Sequence, residues 1–593
     1  MYSLKIAVFY FFVSAPFLMA DEDLKKQQMI EDLQVIKHHF EVGYAPCQWK
    51  DESFGWSLER SCQEAKEKIL NTPRISTKQF QIILKNFVQT MQDYHVGINF
   101  ISTEKAVLPF QVKGAANRYF ITWVDQYKLP NIEVGDELIE FNNEPIAAVI
   151  AALKKEHGRQ TNDLTDQALA EISLTERKGS LGEIVPKGAV TIKILPKQNN
   201  YFKAQTHQLI WSYQAESINN PLDYNLCKLS CTKNKVLADY KLTMAPLCRI
   251  DNSHKSALNP LCDGNLGASK GFLPDLGVIL WKNGQNKQLV AKSGALKASI
   301  DWHAYIYNHP SIGPVGYIRI PHYDINEFDV EEFGKIVSYM EGNTHALIID
   351  QTNNFGGFLN FQYEIASILA TKPLLTPHHQ LKITQKEVYN AYRELDIIKF
   401  FEYQSAPADM DWDEENYAKE NSKHKIAEIA EGYRRLLFLK NYNESIIEDW
   451  NAGQVLTRPT PLLGVDMIHP HARHHYRKPK ILLINEMCFS GADIMAAMLQ
   501  DSNTDGNMEA LLFGTRTAGA GGFVKTFEFP NRHGIKFCSY TASLAHRANS
   551  MKIENVGVSP DLEYAISIAD LQNDYEEYVT VLNKVIEAWL QVN

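Results

Sequence analysis

The pattern of apolar and polar positions divides the chain into a helical start, a β-rich middle and an α/β second half. Near the N-terminus, and again from about Thr77, apolar residues recur every three to four positions, which predicts two amphipathic helices. From Gly97 to about residue 205 the pattern changes to short β-type runs separated by turns. The two apolar stripes are Ile30, Leu33, Ile36 and Phe40, then Phe80, Ile83, Phe87, Met91 and Tyr94.

In the second half of the chain, strongly apolar strands alternate with helical segments. Such alternation predicts a parallel sheet covered by crossover helices, so the expected fold class is α/β. An amphipathic helix, with apolar positions from Leu571 to Trp589, closes the chain. The predicted strands lie at 314–320, 346–350 and 481–484, and the predicted helices at 331–339, 361–370 and 491–499.

The segment 215–300 between these halves is rich in Asn, Lys and Ser and has weak periodicity. It reads as an insert or exposed loop, where proteolytic nicking concentrates. Four cysteines fall within it. Disulfides between them are plausible in an oxidising compartment, and a zinc site is the alternative interpretation. The four are Cys227, Cys231, Cys248 and Cys262.

The first twenty residues have the features of a secretory signal peptide. Lys5 supplies the positive charge, Ile6 to Met19 is apolar, and Ala20 precedes an acidic run. An uncleaved anchor is the alternative, but the apolar stretch is shorter than the ~20 residues that a spanning helix needs. We therefore expect a secreted or periplasmic protein without stable membrane insertion once the signal is removed.

The composition narrows the classes of molecule that the protein is expected to bind. The 593 residues are 45% hydrophobic and 22% charged, as in ordinary globular proteins. A net charge of −10 gives no general attraction to nucleic acid, and no basic cluster compensates for it. Nucleic-acid binding is therefore not expected.

Ser490 is the most informative single residue. The apolar run Ile481–Ile484 ends shortly before it, and small and apolar residues of helix type begin at Gly491. A serine at such a junction lies beside the free backbone N–H groups of a helix N-terminus, which can stabilise an oxyanion. An ordinary helix N-cap is the simpler interpretation of one isolated serine.

Two glycine-rich turns in the α/β half strengthen the catalytic interpretation. Residues 350–357 follow one predicted strand and end in Gly356-Gly357, and residues 514–522 follow the apolar run at 510–513. Glycine pairs let backbone N–H groups approach a ligand closely, although a plain tight turn is the commoner explanation for each turn alone. Their combination with Ser490 predicts a nucleophile with oxyanion donors.

Together these motifs resemble the tail-specific, or C-terminal processing, serine peptidases. The resemblance implies a crotonase-like ββα catalytic core, a PDZ-like β-rich domain around Gly135-Asp136, and an N-terminal helical region. It further divides the chain into a signal peptide at 1–20, a helical region carrying the catalytic histidine at 21–104, a PDZ-like domain at 105–205, a cysteine-containing insert at 206–300 and a peptidase core at 301–593.

The resemblance also bears on the catalytic base. Most members of the family use a lysine in the second glycine-rich loop, but this loop offers only Arg516, which stays protonated at working pH. Members with a Ser-His-Glu triad are the better match, and their motifs fall on His95 and Glu554 here. Ser490 would attack, His95 would act as base, and Glu554 would fix the imidazole tautomer. The backbone N–H groups of Gly491 and of Gly356 or Gly357 would hold the oxyanion.

The resemblance therefore implies a secreted serine endopeptidase and virulence factor that acts on protein or peptide substrates, without a cofactor, as a homodimer. It also implies a precursor that cleaves itself within the insert. Two alternatives stay open: a periplasmic protease that trims C-termini, and a non-catalytic PDZ-type scaffold. If His95 pairs with Glu554, activity should fall on the acid side near or above the ordinary histidine pKa of about 6.5.

Two other groups of residues could carry chemistry. His469, His471, His474 and His475 form a His-rich tract that could bind zinc or copper, but Pro470 and the lack of nearby carboxylates favour an exposed loop. Cys488, two residues before Ser490, could be a nucleophile, and a buried apolar position is the simpler interpretation.

Overall fold

The computed structural model describes residues 3–197, 203–218, 273–283, 300, 302–405, 437–503 and 509–592, with the backbone alone at 3–21, 401–405 and 592. The four cysteines of the insert and the proposed processing segment at 225–270 lie outside these ranges. Within them, no helix is long and apolar enough to cross a membrane.

Helices form the N-terminal region and cover the central sheet. Residues 437–451 are also helical. The other helices are α1 Ser3–Gly43, α2 Cys47–Phe54, α3 Leu58–Asn71, α4 Thr77–Gln89, α5 Ile146–His157, α6 Asp163–Thr175, α7 Glu327–Asn343, α8 Leu359–Leu369, α9 Gln385–Ser405, α10 Gly491–Asp501, α11 Ile568–Gln572 and α12 Glu576–Val592.

Strands build a PDZ-like sheet, a catalytic sheet and several small sheets. They are β1 Gly97–Phe100, β2 Lys105–Val107, β3 Phe110–Ala115, β4 Arg118–Val124, β5 Glu137–Phe141, β6 Glu144–Pro145, β7 Glu176–Lys178, β8 Ala189–Leu195, β9 Gln205–Ile210, β10 Ser212–Gln214, β11 Val278–Lys282, β12 Ala304–His309, β13 Gly313–Arg319, β14 Ala346–Asp350, β15 Leu374–Leu375, β16 His378–Leu381, β17 Thr460–Pro461, β18 Met467–Ile468, β19 Lys480–Ile484, β20 Leu511–Gly514, β21 Val524–Phe527, β22 Ile535–Thr541, β23 Ser543–His546 and β24 Leu562–Glu563.

The catalytic sheet has seven strands in the order β11-β12-β13-β14-β19-β20-β24. The pairings from β13 to β24 are parallel, and the two that involve β12 are antiparallel. Strands β14 and β19 are fully buried, because helices pack on both faces of the sheet. The sheet brings the carboxyl ends of β14, β19 and β20 side by side, which is where open α/β sheets hold their ligands.

The N-terminal helices are attached to the catalytic domain through a shared core. Strand β1, which follows α4, pairs antiparallel with β22, and Gly97 lies opposite Ser539. The apolar stripes of α1 and α4 are buried and pack against residues of β21 and β22, including Phe527 and Cys538. This packing confirms both predicted amphipathic helices and brings the segment after α4 onto the catalytic domain.

The PDZ-like sheet runs β3-β4-β5-β8-β9, with β6 paired to β5, and Leu138 and Phe141 belong to its core. Two helices in this domain, α5 and α6, depart from the purely β pattern expected there. Their signals are local: α5 is an Ala-rich run, and the Asn162 side chain caps α6 by accepting from the N–H groups of Leu164 and Thr165.

The structure also differs from the sequence prediction at both ends of the insert. Strand β9 extends the PDZ-like sheet beyond residue 205, and β11, inside the expected insert, forms the edge of the catalytic sheet. The closing helix is divided into α11 and α12, because Asp574 and Tyr575 between them have positive φ. The other predicted strands and helices of the second half are confirmed within a few residues.

Candidate active site

Ser490 lies between β19 and α10 as predicted, in an unusual backbone conformation. Its φ of 56° and ψ of −116° lie outside the regions that non-glycine residues favour. Residues 486–489 and 491–499 around it are buried, whereas Ser490 is partly exposed. The Ser490 side chain does not cap the helix. The junction therefore presents the hydroxyl at the surface of an otherwise buried turn, a strained arrangement typical of functional sites.

The loop after β14 packs directly on this serine. A Cβ atom added at Gly356, where φ is 87°, would lie 2.6 Å from Ser490 Cβ and 2.7 Å from the Gly491 nitrogen. The backbone N–H of Phe489 donates to the Asn354 carbonyl oxygen at 2.9 Å. Only glycine fits at position 356, because any side chain there would displace the nucleophile.

The three expected oxyanion donors differ in availability. Among the described residues, no hydrogen-bond acceptor is found for the backbone N–H of Gly491 or of Gly357. The Gly356 N–H instead donates to Asn354 Oδ1 at 2.8 Å, inside its own loop. The donor role expected for Gly356 is therefore not available in this structure, because an Asx turn already uses that N–H.

The second glycine-rich loop is tied to the nucleophile helix by Asp493, which sequence reasoning missed. Asp493 Oδ1 accepts from Thr517 Oγ1 at 2.5 Å and from the Gly519 N–H at 3.0 Å, and Oδ2 accepts from the Ala520 N–H at 3.0 Å. Burial raises the pKa of Asp493 to about 6, against the effect of these hydrogen bonds. Its only sequence signal is an acidic residue in the first turn of a helix.

His95 lies in the turn between α4 and β1. Asp93 Oδ1 accepts from the His95 backbone N–H at 2.8 Å, and Ser539 Oγ donates to the His95 carbonyl oxygen at 2.8 Å. The ring of Tyr94 contacts that of Phe489 edge to face, with centroids 5.6 Å apart. The chain neighbours of the candidate base and of the candidate nucleophile are thus in direct contact.

Burial lowers the pKa of His95 to about 4, and the charge of Asp93 opposes this shift. Nδ1 of the ring is buried and has no hydrogen-bond partner among the described residues. The pairing with Glu554, on which the upward shift expected from sequence depends, is not formed among the described residues. His95 is a neutral imidazole at neutral pH, the form that a general base requires.

Glu554 is buried in the turn that follows β23. The Asn555 N–H next to it donates to the Gly519 carbonyl oxygen at 2.8 Å, so this turn packs on the second glycine-rich loop. Oε2 of Glu554 has no hydrogen-bond partner among the described residues. Burial and the nearby Asp93 raise the pKa of Glu554 well above its usual range, and Lys50, 3.9 Å from Oε1, opposes the shift.

The other candidate residues are not part of this site. Cys488 is fully buried, and its Sγ donates to the Gln351 carbonyl oxygen at 3.0 Å, as expected for an apolar position. Burial raises the pKa of its thiol. The His-rich tract is a loop in which the His471 and His474 rings stack at 5.3 Å. The described part of the chain contains no group of three or more His, Cys, Asp or Glu side chains arranged to hold a metal.

Comparison with known proteins agrees with this geometry. The profile of a PDZ domain matches residues 104–218, and that of peptidase family S41 matches residues 314–564. A protein of Chlamydia muridarum is 33% identical over 601 residues, which cover 95% of this chain and 93% of that protein. A protein of Chlamydia trachomatis serovar D is 32% identical over 597 residues, with the same coverage.

Solved structures of the chlamydial protease-like activity factor, CPAF, have a similar fold over nearly the whole chain. Mature CPAF complexed with lactacystin superposes with a TM-score of 0.75 at 30% identity, covering 96% of this chain and all of that one. Mature CPAF alone gives 0.75 at 31% identity, covering 96% and 99%. The fold and the serine junction define a serine-type peptidase with a PDZ domain. The chain belongs to peptidase family S41, the tail-specific protease type, which confirms the family resemblance seen in the sequence.

Proposed function

We propose that this protein is a secreted serine endopeptidase that hydrolyses protein substrates through Ser490, His95 and Glu554 and an acyl-enzyme. The observation that carries the proposal is the partly exposed, strained Ser490 at the carboxyl end of a buried parallel strand, beside the Gly491 N–H, which has no acceptor among the described residues. Similarity to CPAF over nearly the whole chain supports it.

The proposed mechanism assigns one role to each group. Ser490 Oγ attacks the scissile carbonyl while His95 takes its proton, and the same imidazole later protonates the leaving amine. Glu554 accepts a hydrogen bond from His95 Nδ1. Both this nitrogen and Glu554 Oε2 lack partners in the present structure, so each retains the hydrogen-bonding capacity that the pair requires. The N–H groups of Gly491 and Gly357 stabilise the oxyanion.

Hydrolysis of casein by the purified chain tests the nucleophile. We expect Ser490→Ala to lower the rate by at least about 10³-fold, since the attacking atom is lost. Labelling by a fluorophosphonate probe should be lost with it. Ser550→Ala is the matched control: Ser550 is an exposed serine that also has positive φ, at 67°. Wild-type turnover by Ser490→Ala would refute the serine mechanism.

The products distinguish the endopeptidase from a protease that trims C-termini. Mass spectrometry of casein fragments at early times should show cuts at internal positions, with new N-termini and C-termini in equal number. Shortening confined to substrate C-termini would favour the trimming alternative.

We further propose that the chain is exported, is made as a precursor and acts as a homodimer. The similar structures are of mature CPAF, which supports processing of a precursor. The segment 225–270 lies outside the described residues, between β10 and β11. We expect wild-type protein to convert with time into two associated fragments cut in this segment, whereas Ser490→Ala stays full length. Sedimentation of both proteins measures the oligomeric state, and N-terminal sequencing of the exported protein tests cleavage after Ala20.

A further inference from the structure

Lys50 is a fully buried cation beside the candidate triad that the mechanism above does not use. It lies on α2, and its side chain is 0% exposed. Its ammonium group donates to the Gln92 carbonyl oxygen at 2.7 Å and to Asn555 Oδ1 at 2.6 Å, and it lies 3.9 Å from Glu554 Oε1. All three oxygens belong to the two turns that carry His95 and Glu554.

These contacts join two segments that are far apart in the sequence. Gln92 precedes His95 by three residues, and Asn555 follows Glu554 directly. Asn555 Nδ2 also donates to the Gln92 carbonyl oxygen at 3.0 Å, so the lysine, the asparagine and the backbone form a closed set of hydrogen bonds. The position of the histidine turn relative to the glutamate turn is therefore set partly by Lys50.

The charges around Glu554 make this cation more than a structural link. The acidic neighbours are Asp93, on the histidine turn, and Asp493, on α10, and both raise the pKa of Glu554 together with burial. The Tyr44 hydroxyl, directly after α1, donates to Asp93 Oδ2 at 3.0 Å. Lys50 supplies the opposing positive charge; burial lowers its own pKa, and the charges of Glu554 and Asp93 oppose that shift. A buried ammonium costs several kcal/mol of solvation, which a purely structural position could avoid with an apolar side chain.

We propose that Lys50 is a positioning residue of the peptidase: it favours the ionised form of Glu554 and holds its turn against the turn of His95. This inference rests on the proposed Ser490-His95-Glu554 triad. In the proposed triad, activity requires ionised Glu554. Removal of the lysine charge should raise the pH at which this carboxylate becomes protonated. The acid limb of the pH–rate profile, where the rate falls with falling pH, should therefore move to higher pH.

The pH profile of casein hydrolysis tests the charge. We expect Lys50→Gln, which keeps hydrogen bonding but loses the charge, to lower kcat at least tenfold with KM changed less than twofold. Its acid limb should move up by about one pH unit, the usual effect of losing one close opposite charge. Lys50→Arg should restore part of the limb position. Lys480→Gln is the matched control, because Lys480 is another buried lysine, 3.3 Å from Glu509, at the far end of β19. It should lower stability without moving the limb. Limbs that coincide in Lys50→Gln and wild type would overturn the proposal.

A double-mutant cycle in unfolding keeps the inference testable apart from the triad. At pH 8, Lys50→Gln should raise the unfolding constant at least threefold more in the wild-type background than in the Glu554→Gln background, since the ion pair exists only in the former. Equal effects in both backgrounds would overturn the proposal. If casein hydrolysis survives Ser490→Ala, the proposed function fails, yet this cycle still reports whether Lys50 acts on Glu554.

Discussion

Asp493 and Glu554 are two buried carboxylates of the candidate active site, and their surroundings differ. Asp493, on the nucleophile side, accepts hydrogen bonds from a hydroxyl and from two backbone N–H groups. Among the described residues, Glu554, on the base side, has one oxygen without a hydrogen-bond partner, and the Lys50 ammonium lies 3.9 Å from the other. Burial raises the pKa of both, to about 6 for Asp493 and well beyond its usual range for Glu554.

The difference follows from what surrounds each group. A buried carboxylate that accepts several hydrogen bonds is stabilised as an anion and fixes the segments that donate to it. Here Asp493 fixes the second glycine-rich loop against α10. A carboxylate oxygen that is buried without a hydrogen bond costs stability. Such groups are typical of functional sites, where the oxygen can accept a hydrogen bond during the reaction. The contrast assigns Asp493 to the framework of the nucleophile and leaves Glu554 available to His95.

The largest expected effect is a separation of two properties: Glu554→Gln should mainly lower kcat, and Asp493→Asn should mainly lower stability. Glu554→Gln should lower kcat by about 10²–10⁴-fold, because an amide no longer stabilises the imidazolium. Its free energy of unfolding should change by only about 1 kcal/mol, since Oε2 has no hydrogen bond to lose. Asp493→Asn should cost about 1–3 kcal/mol of stability, because its NH₂ group must face a backbone or hydroxyl donor.

Chemical denaturation and casein kinetics on the same preparations separate the two outcomes. The proposed difference between the two carboxylates would be refuted if Asp493→Asn kept wild-type stability, or if Glu554→Gln kept wild-type kcat.

On the nucleophile side, Gly356→Ala should lower stability and activity together. The new methyl group would lie 2.6 Å from Ser490 Cβ, at a φ of 87° that alanine rarely adopts. Backbone strain and overpacking together cost about 1–3 kcal/mol, and the serine must move. Gly453→Ala is the matched control, with a φ of 75° and no atom within 4 Å of the added carbon. Casein rates and thermal unfolding of both variants check this, and equal activity losses would show that strain alone is responsible.

The two sides of the site also differ in how far sequence could predict them. The nucleophile side is contiguous in the chain: strand, turn, Ser490 and helix follow one another, and the local pattern predicted each element. His95 and Glu554 lie 459 residues apart, and the pairing of β1 with β22 brings the turn of His95 onto the domain that contains Glu554. Only the family resemblance pointed to them.

The packing of the site could not be predicted from any pattern in the sequence. Neither the hydrogen bonds of Asp493 nor the burial of Lys50 has a periodic signal, because both depend on which loops converge at the carboxyl ends of the sheet. The burial of His95, which lowers its pKa to about 4, has no sequence signal for the same reason.

On the base side, the buried His95 should make stability depend on pH. Its pKa is lowered from 6.5 to about 4 on folding, so the unfolded chain binds the proton first and stability is lost as pH falls from about 6.5 to about 4. Between pH 7 and pH 5 this one group should remove about 2 kcal/mol from the free energy of unfolding. His95→Gln cannot titrate, so its urea-unfolding midpoint should fall less than that of wild type over this interval. Identical pH dependence in the two proteins would mean that His95 is solvated or already paired. The proposed difference between the nucleophile side and the base side would then no longer hold for the base side.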